Sequence, residues 1–338
     1  MLITPLNLKI SYADKNCDRG IKWMLRCDRN NDAYSEYGIE AIINPKILLG
    51  IHDYLTAATC DDMNKAITNF NSISENISPL LRTFYDYTLK RTDYCVNFAI
   101  NELFPECTVE QIMELIRRGN IPPHYEEWKK YNIKSHRKKA SPNSFYLMNR
   151  SVHINCYRKS VELQERREKG MTSITQSDID NSQDIIRFEV QCKYPKVYSI
   201  SRKAAANGNS NINKYESLLA YEFCEKIIFD YFRKTIGTGH WYSLKSAISL
   251  IKSYGFNIQR ENRLIDALRF VNDCHSVEKA KKKYQGDLND FKRTLKELDN
   301  LGINPVTIPR EWKINRIWNL LDAYSSKVTV ERMGNKFE

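Results

Sequence analysis

The chain has 338 residues, of which 42% are hydrophobic and 28% charged, a composition typical of a soluble globular protein and not of a disordered one. The formal net charge of +11 favours a polyanionic partner, above all nucleic acid. No run approaches 18 consecutive apolar residues, so neither a membrane span nor a membrane partner is predicted.

Cysteine usage and the chain start both predict a cytoplasmic protein. The nine cysteines are scattered singly, without a C-x-x-C pair, which indicates reduced thiols and argues against a disulfide scaffold or a zinc site. Residues 1–16 lack a basic segment followed by a long apolar one, so we expect no signal peptide. Neither G-x-x-x-x-G-K-[ST] nor G-x-G-x-x-G occurs, so nucleotide-binding folds lose their main support.

The first part of the chain mixes short strands with helices. Alternating apolar residues predict strands over 2–11, 21–27, 37–43, 94–99, 144–147, 152–157 and 185–192. Helices are predicted over 45–54, 79–89, 109–118 and 160–170, the second because Ser78 precedes Pro79 as a capping residue would. Because helices do not follow strands one by one, the pattern favours an α+β fold with a largely antiparallel sheet.

The second part of the chain is predicted to be almost wholly helical. Residues 203–213 are small, polar and glycine-bearing, which is typical of a linker. Beyond it, apolar residues recur at intervals of three and four, as in Leu264, Leu268 and Val271. Helices are predicted over 214–235, 242–253, 261–271, 277–301 and 313–325. We therefore expect two domains, 1–205 with the sheet and 206–338, a helical C-terminal domain.

Three acidic residues lie on the polar sides of predicted strands, where alternate residues share a face. They are Glu40, Asp93 and Glu189. Taken singly, each fits an ordinary solvated strand face, and that alternative stays open. If the strands are neighbours, the carboxylates converge and repel one another unless a cation holds them. A hard divalent ion such as Mg²⁺ or Mn²⁺ is the natural counterion for such a group.

The segment RSVHINCYRKSVELQ, 150–164, predicts a strand that runs into a charged helix, with Tyr157 at the junction. A lone tyrosine in a strand is usually a core or rim residue, and this alternative stays open. Its neighbours favour another role, because Arg158 and Lys159 can stabilise a phenolate and attract phosphate. With a divalent ion polarising a phosphodiester, the Tyr157 hydroxyl is a candidate nucleophile for in-line attack on phosphorus.

Four motifs in order resemble those of the filamentous-phage replication proteins, the gene II/X family, and more distantly the plasmid rolling-circle initiators of the Rep_trans group. The motifs are IEAIINPKIL, RTDYCVNF, INCYRKSVELQERREK and IIRFEVQCKYPKVYSI. The segments AISLIKSYGFNI and LDNLGINPVTIPREW are similar to the C-terminal part of the phage proteins. The resemblance therefore extends over most of the chain.

The resemblance implies a rolling-circle replication initiator, a site-specific DNA nickase and ligase that acts through a 5′-phosphotyrosine intermediate with Mg²⁺ or Mn²⁺. It implies Tyr157 as the nucleophile and Lys159 as a contact to the scissile phosphate. It also implies Glu40, Asp93 and Glu189 as metal ligands. The implied partners are origin DNA, single- and double-stranded, with the host helicase and replication machinery.

Two departures from the family pattern leave residues unassigned. Asn97 stands where some plasmid members have a second aspartate, and His153 is single, whereas the large nickases with a histidine pair have two. Three alternatives stay open. They are a conjugative relaxase of related fold, a DNA-binding replication or copy-control protein that does not cut, and an unrelated basic protein with accidental motifs.

Two basic clusters are predicted to contact DNA phosphates. The run KKYNIKSHRKKASPNS forms a predicted loop before the Tyr157 strand, for which a merely solvated loop is the alternative. The run EKAKKKY lies on a predicted helix. The predicted DNA-binding residues are Lys134, Arg137, Lys138, Lys139, Arg158, Lys281, Lys282 and Lys283.

Overall fold

The computed structural model describes residues 20–29, 35–132, 137–206, 218 and 220–326. The predicted strand over 2–11, Lys134 and most of the predicted linker lie outside the described residues. No helix among the described ranges is long and apolar enough to cross a membrane.

Strands and helices are both well represented in the described chain. The strands are β1 (Ile21–Arg29), β2 (Ser35–Ile43), β3 (Arg91–Ala99), β4 (Glu126–Glu127), β5 (Lys130–Asn132), β6 (Arg137–Lys139), β7 (Ser144–Met148), β8 (Val152–Arg158), β9 (Ile185–Lys193), β10 (Trp241–Tyr242) and β11 (Arg316–Ile317). The helices are α1 (Pro45–Leu48), α2 (Cys60–Ile77), α3 (Ile100–Leu103), α4 (Val109–Arg117), α5 (Lys159–Glu168), α6 (Gln176–Asp180), α7 (Tyr194–Ala206), α8 (Tyr221–Thr235), α9 (Leu244–Ser253), α10 (Ile258–Cys274), α11 (Val277–Lys283) and α12 (Leu288–Asn300).

The chain divides into two compact units. The first contains Met1–Leu89, Glu162–Ser182 and Asn213–Ala220, and the second contains Lys90–Val161, Gln183–Ile212 and Tyr221–Glu338. The second unit therefore includes both the main sheet and the helices that follow residue 220. The division into a nicking domain over 1–205 and a helical DNA-binding domain over 206–338 stays a prediction about function.

In the first unit, β1 and β2 form an antiparallel hairpin that packs on α2. Trp23 of β1 lies with its ring centroid 5.1 Å from that of Phe70, and both side chains are buried. The helix begins at a capping box, in which the side chains of Thr59 and Asp62 each accept a hydrogen bond from the backbone of the other. A second cluster of the unit contains Ile47, Tyr54, Leu163, Met171, Ile174 and Ile179.

The predicted helix over 79–89 is wrong. Ser78 is the residue that ends α2, and its hydroxyl accepts a hydrogen bond from the backbone N–H of Leu80. A turn and a single 3₁₀ turn over Phe84–Asp86 occupy the segment in place of a helix. The Ser-Pro pair therefore stops a helix here instead of starting one, because proline fits the residues after a helix end as well as its first turn.

The second unit is built on a five-stranded sheet in the order β3-β9-β8-β7-β4, antiparallel throughout. The predicted α+β class with an antiparallel sheet is confirmed. On one face of the sheet, Phe98 and Phe188 pack edge-on against Phe232 of α8, with ring centroids 6.0 and 5.3 Å apart. All three side chains are buried, so this face forms the core of the unit.

The C-terminal helices of the second unit form their own core. Leu264, Leu268 and Val271 of α10 are buried, as their spacing predicts. The short strands β10 and β11 pair antiparallel beside these helices. The C-terminal part of the described chain is thus mainly helical.

Asp299, near the end of α12, fixes the turn between α8 and β10. Its carboxylate accepts hydrogen bonds from the backbone N–H groups of Thr238 and Gly239, at 2.8 and 2.7 Å, and from the Thr238 hydroxyl at 3.0 Å. Gly237 has a φ of +92°, and a Cβ there would lie 2.7 Å from the Asp299 carboxylate. Glycine is therefore required by both conformation and space.

We expect Asp299→Ala to lower the free energy of unfolding by about 2 kcal/mol, because it leaves the turn donors without their acceptor. The measurement is urea unfolding followed by circular dichroism. Asp266→Ala is the matched control, since Asp266 is a solvent-exposed carboxylate of α10. Equal stability of the two variants would contradict the role given to Asp299.

Candidate active site on the polar face of the sheet

The other face of the sheet is polar, because alternate residues of β3, β8 and β9 point away from the core. The register aligns Cys95, Glu189 and Asn155 in one row across the three strands. The rows on either side complete what we call the polar face. Its residues are Asp93, Cys95 and Asn97 of β3, His153, Asn155 and Tyr157 of β8, and Arg187, Glu189 and Gln191 of β9.

Glu189 lies at the centre of the polar face and accepts three hydrogen bonds. The Tyr157 hydroxyl donates to its Oε2 at 3.2 Å. Asn155 Nδ2 and Gln191 Nε2 donate to its Oε1 at 3.1 and 2.6 Å. The Tyr157 side chain is 7% exposed, and its hydroxyl points to a carboxylate instead of into the apolar core. This pair is the part of the site with a clear chemical use, since the carboxylate is positioned to take the phenol proton.

Asp93 lies near one end of the polar face and is held by Arg91, two residues earlier on the same strand. The guanidinium Nε and Nη2 donate to the two carboxylate oxygens at 2.7 and 2.5 Å, a two-bond pairing. Loss of hydration raises the pKa of the Asp93 carboxyl above its ordinary value, and the charge of Glu189 raises it further. The bonds and charge of Arg91 act in the opposite direction and lower that pKa.

Lys159 is the first residue of α5, directly after β8, and it is 1% exposed. Burial raises the pKa of the Cys95 thiol, while the positive charges of Arg187 and Lys159 oppose this shift. The positive charge of Lys159 is therefore close enough to affect a residue of the polar face. Arg187 is itself anchored, since its Nε donates to Asn97 Oδ1 at 2.7 Å.

His153 lies at the end of the polar face nearest Arg91. Burial lowers the pKa of its imidazole, and the charges of Lys193 and Arg91 lower it further. We therefore expect a neutral His153 near pH 7. Lys193 lies at this end opposite Arg91, whose charge is paired with Asp93.

The structure brings some of the sequence-predicted site residues together. Asp93, Glu189 and Tyr157 share the polar face, and Lys159 follows directly on β8. Glu40 lies on β2 opposite Met24, in the first unit. Its role as a third metal ligand stays a prediction.

The carboxylates of the polar face are already bonded within the protein. Both Asp93 oxygens are bonded to Arg91, and both Glu189 oxygens accept bonds from amide or phenol groups. Across the described ranges of the chain, no group of three or more His, Cys, Asp and Glu residues is arranged to hold a metal ion. In this arrangement the polar face does not fit a bound Mg²⁺ or Mn²⁺, and no step of the reaction proposed for it passes through one.

Two of the predicted DNA-binding cations are engaged in the protein. Arg158 forms an ion pair with Glu110, with 2.6 Å between nitrogen and oxygen. Lys281 is largely buried, and its Nζ donates to Asn120 Oδ1 at 3.0 Å and to the Ile121 carbonyl at 3.2 Å. Both residues therefore hold elements of the second unit together, and their contacts with DNA stay predictions.

The remaining predicted cations differ in how they are placed. Lys282 and Lys283 are exposed at the end of α11. Arg137, Lys138 and Lys139 form β6, which pairs antiparallel with β5 in a two-stranded ribbon. The contacts of these residues with DNA phosphates stay predictions.

Comparison with known proteins gives no match for this chain, whether against family models, curated proteins or solved structures. The resemblance to phage and plasmid initiators therefore rests on the four sequence motifs and their order.

Sequence reasoning missed Arg91 as the partner of Asp93. The signal was present, because the two residues are two apart in RTDYCVNF and therefore share a face of the strand. Asn155 and Gln191 were placed on polar faces, but their joint hydrogen bonds to Glu189 depend on the register between β8 and β9.

We expect Arg91→Gln to raise the pKa of Asp93, because it removes the positive charge that favours the carboxylate. The measurement is a carbon-13 NMR titration of the Asp93 side-chain carboxyl in the whole protein. In the unchanged protein the carboxyl should titrate above the ordinary aspartate value, and in the variant higher still. An unchanged or lowered Asp93 pKa in the variant would contradict the pairing.

Proposed function

We propose that this chain is a rolling-circle replication initiator, a site-specific DNA nickase and ligase that forms a 5′-phosphotyrosine link through Tyr157. The single observation that carries the proposal is the hydrogen bond from the Tyr157 hydroxyl to Glu189 on the polar face. The net charge of +11 and the order of the four motifs support DNA as the substrate.

In the proposed reaction, the Tyr157 oxygen attacks a backbone phosphorus as its proton passes to Glu189. A bond forms between the phenol oxygen and phosphorus, and the bond from phosphorus to the 3′ oxygen breaks. The leaving 3′ oxygen takes up a proton from solvent water and becomes a hydroxyl, Glu189 later releases the phenol proton to solvent, and the 5′ phosphate stays on the tyrosine. Attack by that 3′ hydroxyl on the phosphotyrosine reverses the step and reseals the strand.

The neighbouring residues have supporting roles in this proposal. Asn155 and Gln191 orient the Glu189 carboxylate towards the phenol, since each donates to its other oxygen. Lys159 adds positive charge close to the developing negative charge on phosphate. Because Lys159 is buried, we assign it an electrostatic effect; direct contact with the scissile phosphate stays a prediction.

A second candidate is a DNA-binding replication or copy-control protein that does not cut. The observation that favours it is the low exposure of Tyr157, together with the hydrogen bonds by which protein donors already occupy both carboxylates. Such a protein would retain origin DNA and recruit the host helicase and replication machinery without forming a covalent link.

Incubation with a randomised single-stranded DNA library separates the two candidates. The nickase yields DNA that stays attached to the protein in sodium dodecyl sulfate and is released by protease. The non-cutting protein retains DNA only under native conditions, and that result would reject the nickase proposal.

The predicted dependence on Mg²⁺ or Mn²⁺ is tested in parallel arms with EDTA, Mg²⁺ and Mn²⁺. The reaction proposed for the polar face uses no metal and should give equal yields in the three arms, whereas at least a tenfold loss in EDTA would contradict it and support the predicted metal dependence. Equal yields in all arms would show that the reaction needs no divalent ion and is carried out by the residues of the polar face alone.

A further inference from the structure

Helix α7 presents two tyrosines and an arginine along one side. It begins directly after β9, and Tyr194 and Tyr198 are 47% and 50% exposed. Their ring centroids lie 5.9 Å apart, with 33° between the ring planes. Arg202, four residues further on, is also exposed. Residues four apart lie on the same side of a helix, so we call Tyr194, Tyr198 and Arg202 the tyrosine stripe.

The packed side of α7 lies next to the tyrosine stripe, because Val197 and Ser201 are three and seven residues after Tyr194. Val197 and Ser201 are buried, and Lys196 Nζ lies 5.6 Å from the centre of the Tyr231 ring on α8. The tyrosine stripe flanks this packed side, and its two rings stay about half exposed. Adjacent exposed aromatic rings are a common mark of a binding surface.

Positive charge borders the tyrosine stripe at both ends. Lys193 immediately precedes Tyr194. Lys203 follows Arg202 and is exposed. An anionic ligand with flat apolar groups fits this combination better than a neutral or cationic one.

Single-stranded nucleic acid has this chemistry. Its unpaired bases offer flat faces that stack on aromatic side chains, and its phosphates bind neighbouring cations. In a duplex the base faces are already stacked on one another and only their edges are accessible. A pair of exposed rings therefore discriminates in favour of single strands.

We propose that the tyrosine stripe binds single-stranded DNA, with bases stacked on Tyr194 and Tyr198 and a phosphate at Arg202. The choice of DNA over RNA rests on the proposed function, because a nickase has to hold an unpaired strand beside its polar face. The stacking itself is independent of Tyr157 and of any cleavage.

The test is fluorescence anisotropy of labelled oligothymidylate with the full chain. Tyr194→Ala and Tyr198→Ala should each weaken binding about fivefold or more, since base stacking on one ring contributes on that scale. Tyr194→Phe and Tyr198→Phe keep the rings and should stay within about twofold of the unchanged protein. Phe229→Ala is the matched control, because it removes a 45% exposed ring from α8 of the same unit.

Two further arms identify the ligand. Affinity for a hairpin duplex should change less than twofold in the alanine variants. Arg202→Ala should make the slope of the logarithm of the oligothymidylate binding constant against the logarithm of salt concentration shallower by about 0.7, because one phosphate contact is lost. Unchanged oligothymidylate affinity in the double alanine variant would overturn the inference, as would an equal loss for the duplex. Clear preference for oligouridylate would overturn the assignment of DNA.

The outcome of this experiment does not depend on whether the proposed nicking reaction occurs. Oligothymidylate binding needs no covalent step. If the tyrosine stripe variants bind normally, the inference about the stripe is rejected, and the Tyr157 reaction is still tested separately by the covalent product. Absence of covalent product together with ring-dependent binding would reject the nickase and support the stripe.

Discussion

Tyr157→Phe should abolish covalent attachment of DNA to the protein, with a loss of product of about a thousandfold or more. The variant removes only the hydroxyl that donates to Glu189 and keeps the ring beside Tyr146. Retention of single-stranded DNA should stay within about twofold, because the ring contributes to the sheet and the hydroxyl alone forms the new bond. Product is measured as labelled DNA that migrates with the protein in a denaturing gel.

Tyr146→Phe is the matched control for this variant. Tyr146 lies on the neighbouring strand β7 opposite Asn155, with its ring centroid 6.1 Å from that of Tyr157. It should keep normal levels of covalent product. If Tyr157→Phe still nicks, the nucleophile is another tyrosine, and Tyr146, Tyr194 and Tyr198 are the next to be substituted.

Glu189→Gln should lower the rate of covalent product formation by about a hundred- to ten-thousandfold, the usual contribution of a positioned general base. The amide keeps the size of the side chain and can still accept a bond from the Tyr157 hydroxyl, but it does not take up the proton. The rate is measured in single turnover with excess protein, so that DNA affinity does not limit it.

A carboxylate elsewhere in the second unit controls for the loss of charge. Glu297→Gln removes a negative charge that is paired with Arg260 and Arg263, and it should leave the rate unchanged. A raised pH should partly rescue Glu189→Gln, because it ionises the Tyr157 phenol without a base, whereas a variant that only perturbs folding would lose DNA retention and stay inactive. Unaltered cutting by Glu189→Gln would reject Glu189 as the acceptor of the phenol proton.

Strand periodicity alone predicts which residues lie on the polar face. Alternation in HINCY and FEVQCK placed Asn155, Tyr157 and Glu189 on polar sides, and the sheet confirms each placement. The alignment of the strands could not be predicted from the sequence, because the register of a sheet depends on pairing between residues far apart along the chain. The Tyr157–Glu189 bond joins residues 32 positions apart.

Helix α2 shows the opposite case, an element absent from the sequence-based prediction. Its sequence CDDMNKAITNFNSISENI is rich in asparagine and serine, which are poor helix formers. Two features outweigh this propensity: the capping box at Thr59 and Asp62, and the burial of Ala66 and Phe70 against β1. The capping box could have been recognised, but the burial depends on a partner strand that the local pattern does not reveal.

The predicted Mg²⁺ or Mn²⁺ site also depended on contacts that the local sequence pattern does not show. Three carboxylates on polar strand faces imply a cation only if they meet, and the sequence does not say what else lies between them. Arg91 supplies the positive charge for Asp93, and amides and a phenol saturate Glu189. Short-range pairing thus satisfies two of the carboxylates within the described protein.

The most direct test of the account is to map the attachment point of DNA on the protein. The protein is incubated with the single-stranded library, digested with trypsin and nuclease, and examined by tandem mass spectrometry for a peptide carrying a nucleotide phosphate. The account predicts the modification on Tyr157 and its loss in Tyr157→Phe. Modification of any other residue, or a complete absence of modified peptide under conditions where DNA is bound, would contradict it.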